Sequence, residues 1–183
     1  PILCGNKEAL INKEDVKTLF IQNTNPLVVA PDSLLVRKGF SREDLFVCVH
    51  EQFLTETAKY ADILLPATSF VEHNDIYIAG GHQHLTYGPK LINSIGESKS
   101  NHTLINEISK RLGSKKENFN MTEEEIINET LILSNLGTLK KLKEKKFIDL
   151  QPDFQTSHFI KGFGHSDKKY HFNPKWNIKN TKF

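Results

Sequence analysis

The chain reads as an α/β protein, a partial parallel sheet with flanking helices followed by an irregular C-terminal arm. Three observations predict this. Residues 16–66 alternate apolar runs with helix signals in the order β-α-β-α-β, the pattern of a parallel sheet with helices on its faces. Two later stretches, residues 101–112 and 121–133, carry helix periodicity and helix-start chemistry. From Phe147 to Phe183 that periodicity stops, in a segment holding Pro152, Pro174 and three of the eight histidines. The expected organisation is therefore an α/β segment over 1–113, a helical, lysine-rich segment over 114–146, and an extended arm over 147–183.

Taken in order, Val16 to Gln22 (VKTLFIQ) reads as a buried strand, and Asn23-Thr24-Asn25-Pro26 as the turn ending it. Asp32 or Ser33 caps a helix through SLLVRKGF, with Gly39 closing it. Leu45 to Val49 is the next strand, Thr55 to Ala61 a short helix, and Ile63-Leu64-Leu65 a third strand. IYIAGGHQHLTYG suggests two extended segments around Gly80-Gly81. Asn101 to Leu112 is an amphipathic helix closed by Gly113, since Leu104, Ile105, Ile108 and Leu112 share a face. Thr122 and Glu125 form a capping-box pair opening MTEEEIINETLIL. The lysines at 140, 141, 143, 145 and 146 read as a solvated face, because Glu144 interrupts them and no aromatics interleave.

Bulk properties exclude several classes. A net charge of +2 across 183 residues is too slight to argue for nucleic acid. Cys4 and Cys48, the two cysteines, are too far apart for a zinc site or a disulfide framework. No apolar run approaches the ~18 residues of a membrane span, so a cytoplasmic setting is the default expectation. His82 and His84 share a strand face and could chelate a metal, but no third ligand follows at a suitable spacing. The G-x-G-x-x-G, G-x-x-x-x-G-K-[ST] and G-x-S-x-G signatures are absent.

The most informative stretch is HEQFLTETAKYADILLP, residues 50–66. It places Glu51, Gln52, Thr55 and Thr57 at the carboxyl end of the second strand, where open α/β sheets bind ligands. Asp62, among apolar strand residues, is expected to pair with nearby backbone NH groups. Glu72, His73, Asn74 and Asp75 form a polar cluster after the third strand, either ligand edge or ordinary loop.

The run T-x-T-A-x-x-A-D-I-x-L-P within that stretch resembles a hallmark of the molybdopterin oxidoreductase family, such as formate dehydrogenases, nitrate reductases and dimethyl sulfoxide reductase. Asn25-Pro26, Pro31-Asp32, Arg42 to Phe46, Ala67 to Glu72 and Gly96 to Asn101 agree with it in order. The tail GFGHSDKKYHFNPKW resembles the segment preceding the family's C-terminal barrel. The resemblance implies a later-middle piece of such an enzyme's catalytic subunit. It implies a molybdopterin guanine dinucleotide cofactor, with molybdenum or tungsten held by segments not in this chain, and the remaining segments or subunits of the same oxidoreductase as partners.

The cofactor-binding set it implies is Asn25, His50, Glu51, Gln52, Thr55, Thr57 and Asp75, with no catalytic residue and no metal ligand. A carboxylate such as Glu51 accepts the N1–H and N2–H₂ edge of guanine; related enzymes usually carry Asp there. Asn25, Thr55 and Thr57 suit phosphate or sugar oxygens. Each has a plainer alternative: Asn25 completing an Asx-turn, Thr55 capping its helix, Glu51 a surface acid. The family's metal ligand and its iron–sulfur cysteines lie upstream of the matched region, so the chain alone is not expected to turn over substrate. Two other readings stay open: a non-catalytic scaffold relative, as in the large iron–sulfur subunit of NADH:quinone oxidoreductase, and a small independent nucleotide-binding module.

Overall fold

The computed structural model describes residues 2–172, except 9, 11 and 12. The chain divides into two compact units, residues 1–75 with 88–139, and residues 76–87 with 140–183. The expected features at Pro174 and in the last part of the tail lie outside the described residues.

The first unit is built on three parallel strands, β1 (Thr18–Gln22), β2 (Phe46–Glu51) and β3 (Ile63–Pro66), with β2 central. Gln22 stands opposite His50, and Glu51 opposite Pro66. Side chains alternate between faces along a strand, so Ile21, Val47 and Val49 point to one side. There they pack with Leu27, Phe40, Leu45 and Ala58 into the core. The other face carries Phe20, Phe46 and Ile63, which are 38%, 43% and 45% exposed. One face is thus covered, and the other is bare at Phe20, Phe46 and Ile63 but closed over Cys48 and His50, which are buried.

After β1 the chain makes a single helical turn, α1 (Pro26–Val29), which begins at proline because its missing NH costs nothing there. The following helix α2 (Ser33–Phe40) is capped by Asp32, whose side chain accepts from Leu35 N. Gly39 does not end this helix as expected. It lies buried inside the last turn, where a Cβ would sit 2.7 Å from Leu3 Cβ, so the glycine admits the N-terminal segment against the helix. Thr55 to Ala61 forms no full helix either: it condenses to a 3₁₀ turn, Ala58–Tyr60, with Thr55 Oγ1 accepting from Ala58 N at 3.1 Å. Asp62 meets the expectation of backbone pairing, accepting from Val47 N at 2.7 Å.

Two longer helices complete the unit. Helix α3 (Asn101–Arg111) starts at Ser100, whose side chain accepts from Thr103 N, and stops before Gly113 at φ +73°. Helix α4 (Glu123–Leu133) opens with the expected reciprocal box between Thr122 and Glu125. The capping bonds from Thr122 hold the Glu125 carboxyl below its ordinary range.

The second unit holds a sheet of β4 (Asp75–Ile78), β5 (His84–Gly88) and β6 (Phe147–Asp149). Strand β6, the start of the expected arm, pairs antiparallel with β5, Thr86 opposite Phe147. Helix α5 (Leu139–Lys145) buries Leu139 and Leu142 while Lys140, Lys141, Lys143 and Lys145 stay exposed. A short helix α6 (Phe154–Ser157) follows, capped by Asp153. Beyond it Phe159 stacks on Phe163, which meets Tyr170 edge-on. No helix among the described residues is long and apolar enough to cross a membrane.

Candidate functional site

The carboxyl ends of β1, β2 and β3 gather most of the expected site residues. Glu51 ends β2 and is half-buried. Its Oε1 accepts from Gln52 N at 2.7 Å, and among the described residues Oε2 has no hydrogen-bond partner. Thr55 Oγ1 accepts from a backbone NH, which leaves the hydroxyl proton to be donated outward.

Asn25 and Thr57 are brought together, but on each other. Thr57 donates its hydroxyl to Asn25 Oδ1 at 2.7 Å, and its Oγ1 accepts from Leu27 N at 3.1 Å. Thr57 is fully buried. This latch ties the turn after β1 to the turn after β2. It places Thr57 inside the protein rather than on the ligand edge, because burying an unpaired hydroxyl or NH here costs more than pairing them.

His50 is likewise 0% exposed. Its Nε2 lies 3.0 Å from the carbonyl oxygen of Lys99, and its Nδ1 lies 3.2 Å from Gln22 Nε2. Gln22 Nε2 also donates to Asn101 Oδ1 at 3.2 Å. One string of polar groups therefore runs from His50 through Gln22 to the first residue of α3. A second string leaves Gln52, whose Nε2 donates to the Thr68 carbonyl at 2.8 Å. The Thr68 hydroxyl meets His73 Nδ1 at 2.8 Å, and His73 Nε2 stands 3.9 Å from Asp75 Oδ2.

Both strings end on one cleft of about 210 Å³ within the first unit, lined by His73, Asp75, Asn101 and His102 among others. Its wall is held by Glu123, which accepts from Asn74 N at 2.9 Å and from Ser100 Oγ at 2.7 Å. Beside it Glu72 is buried and accepts from Ser69 N and Ile95 N, both at 2.7 Å. Those backbone NH groups, Ser69 first, hold its carboxyl below the ordinary glutamate range. Asp75 is thus linked to the β2 edge through Thr68 and His73.

Gln22, Thr68, Asn101 and Glu123 were not singled out from sequence. Gln22 had a usable signal, since parallel pairing of two strand ends puts it beside His50. Asn101 and Glu123 had none, because tertiary folding alone brings the starts of α3 and α4 to the sheet. His82 and His84 lie in the second unit with ring centroids 5.3 Å apart. Among the described residues no three His, Cys, Asp or Glu side chains are arranged to hold a metal ion.

Comparison with known proteins bears on the whole arrangement. YoaE of Bacillus subtilis, described as a probable oxidoreductase, is 43% identical over 116 residues, covering 63% of this chain and 17% of YoaE. The assimilatory nitrate reductase catalytic subunit of the same organism is 47% identical over 62 residues, 34% of this chain and 9% of that one. The structure of acetylene hydratase from Pelobacter acetylenicus matches 84% of this chain and 21% of its own, with a TM-score of 0.65 and 21% identity, which speaks to the fold. The chain thus spans about a fifth or less of the length of these relatives. The family model for molybdopterin oxidoreductases matches residues 4–111, more than half of the chain, and the chain belongs to that family.

Proposed function

We propose that this chain contributes to holding the guanine dinucleotide part of a molybdenum cofactor and does not turn over substrate by itself. The observation that carries the reading is Glu51, a carboxylate with one unengaged oxygen at the carboxyl end of the central parallel strand. That oxygen suits the donor edge of a guanine, and the outward hydroxyl proton of Thr55 suits a phosphate oxygen. The donor set therefore fits the nucleotide end of the cofactor. When bound, the cofactor supplies redox or oxygen-transfer chemistry at its metal, whether molybdenum or tungsten.

The roles within the expected set then divide. Glu51 and Thr55 face the nucleotide. Asn25, His50 and Thr57 hold the loops that present them, and Gln52 leads through Thr68 and His73 to Asp75. The bare sheet face with Phe20, Phe46 and Ile63 supports packing against other segments or subunits of the same oxidoreductase, since parallel sheets are covered on both faces. A cytoplasmic location goes with this reading.

One observation favours the scaffold alternative. Asn25 and Thr57 satisfy each other, so neither needs a ligand to explain it. Calorimetry with GDP separates the two. Glu51→Ala is expected to weaken GDP binding at least about tenfold, the loss of a charge-assisted hydrogen bond. Binding that is indifferent to the substitution would refute the role of Glu51, and no binding at all would favour the scaffold.

A further inference from the structure

Charge is shared unevenly between the two units. Residues 76–87 and 140–183 hold 11 of the 24 Lys and Arg and 4 of the 22 Asp and Glu, a net +7, which leaves −5 for the rest of the chain. The cations of the two units also differ in their surroundings. In the first unit Lys7, Lys17, Lys59 and Lys99 stand against Asp15, Asp44, Glu56 and Glu107. In the second, Lys140, Lys145, Lys146, Lys161, Lys168 and Lys169 are exposed, and none has an ion-pair partner among the described residues. Glu144 alone offsets the lysines of residues 140–146. Asp167, beside Lys168, is already engaged: it accepts from Lys169 N at 3.0 Å and meets His171 Nε2 at 3.0 Å.

The same unit exposes apolar side chains between those cations. Phe159 stacks on Phe163 with ring centroids 4.5 Å apart, Phe163 meets Tyr170 at 5.3 Å, and Tyr170 meets Phe172 at 4.9 Å. Ile160 and Phe172 are 63% and 85% exposed. Lys161 directly follows Ile160, and Lys168-Lys169 directly precede Tyr170. A marked charge asymmetry within one chain points to an anionic partner. Cations beside exposed apolar groups match the boundary of an anionic bilayer, where apolar side chains enter the acyl region and ammonium groups stay among the headgroups. We propose that the second unit binds the surface of an anionic lipid membrane, through Lys161, Lys168, Lys169 and the lysines of residues 140–146, with Ile160 and Phe172 entering the interface. The contact lies on the bilayer, since no described helix is long and apolar enough to cross it. Single-stranded nucleic acid fits less well: it needs ring faces free for base stacking, and Phe159 and Phe163 turn theirs to each other. The inference is independent of the nucleotide reading.

The test is co-sedimentation of the full chain with vesicles of phosphatidylcholine, alone or with about a third of phosphatidylglycerol. At low salt the anionic vesicles are expected to carry down at least about tenfold more chain, the excess disappearing as ionic strength rises. Lys161→Glu, Lys168→Glu and Lys169→Glu together are expected to remove most of that excess. Ile160→Ser with Phe172→Ser is expected to weaken anionic binding severalfold and to keep its salt dependence, an effect that attraction between charges alone does not give. Phe20→Ser with Phe46→Ser, in the first unit, is expected to change neither. All three variants should keep the parent's circular dichroism, because every side chain replaced is exposed. Equal sedimentation with both kinds of vesicle would overturn the proposal. So would anionic binding that Ile160→Ser with Phe172→Ser leaves untouched, which would point to an acidic protein in place of lipid.

Discussion

Thr57 shows how much one buried hydroxyl can organise. It both donates and accepts, and so satisfies Asn25 Oδ1 and Leu27 N. Thr57→Val keeps the shape but strands Leu27 N and leaves Asn25 Oδ1 with the backbone NH of residue 57 alone, so we expect a loss of about 1–3 kcal/mol in urea unfolding. Glu72 makes a pH-dependent contribution. Its folded carboxyl lies below the ordinary value, so its stabilisation is fully present above the unfolded glutamate range and is lost as pH falls below about 4.3. Glu72→Gln should therefore be less stable than the parent at neutral pH, with the gap closing on acidification. Parallel stability curves at the two pH extremes would contradict this assignment.

At the scale of elements, helix α2 is the informative case. Its start was legible, because Asp32 caps whatever follows it. Its end was not, because glycine ends helices so often that Gly39 passes for a stop signal. The true reason for Gly39 is the close approach of the Leu3 and Cys4 side chains, which no local pattern announces. Gly39→Ala puts a methyl 2.7 Å from Leu3 Cβ. We expect it to push that segment off the helix and to speed labelling of Cys4 by a thiol-specific dye, since Cys4 Sγ now donates to Leu35 O at 3.3 Å. An unchanged labelling rate would mean that the segment is not held there. Strands β1 to β3, the apolar face of α3 and the box opening α4 were legible for the opposite reason: apolar runs and caps are local. The site was half legible. Glu51 and Thr55 sit where strand order put them, whereas Gln22 and Asn101 belong to the edge through register and long-range folding.

For the molecule as a whole, the uncovered sheet face matters most. Phe20, Phe46 and Ile63 together expose apolar surface that a finished doubly wound domain would bury. Studied alone, the chain is expected to bind a hydrophobic fluorescent dye through this face. The double change Phe20→Ser with Phe46→Ser should reduce that signal at little cost in stability, because both rings are already over a third exposed. Dye binding unaffected by the pair would place the sticky surface elsewhere.

The Asn25–Thr57 latch also bears on the order of events as the chain folds. Its partners are 32 residues apart in sequence, and they meet only after β1 and β2 have paired across their intervening helices. A contact of that span closes late, after the entropy of the crossover has been spent. Its loss should therefore appear as faster unfolding, with the rate of folding nearly untouched. The latch would then act as a kinetic clasp, setting how long the carboxyl edge of the sheet stays assembled once formed.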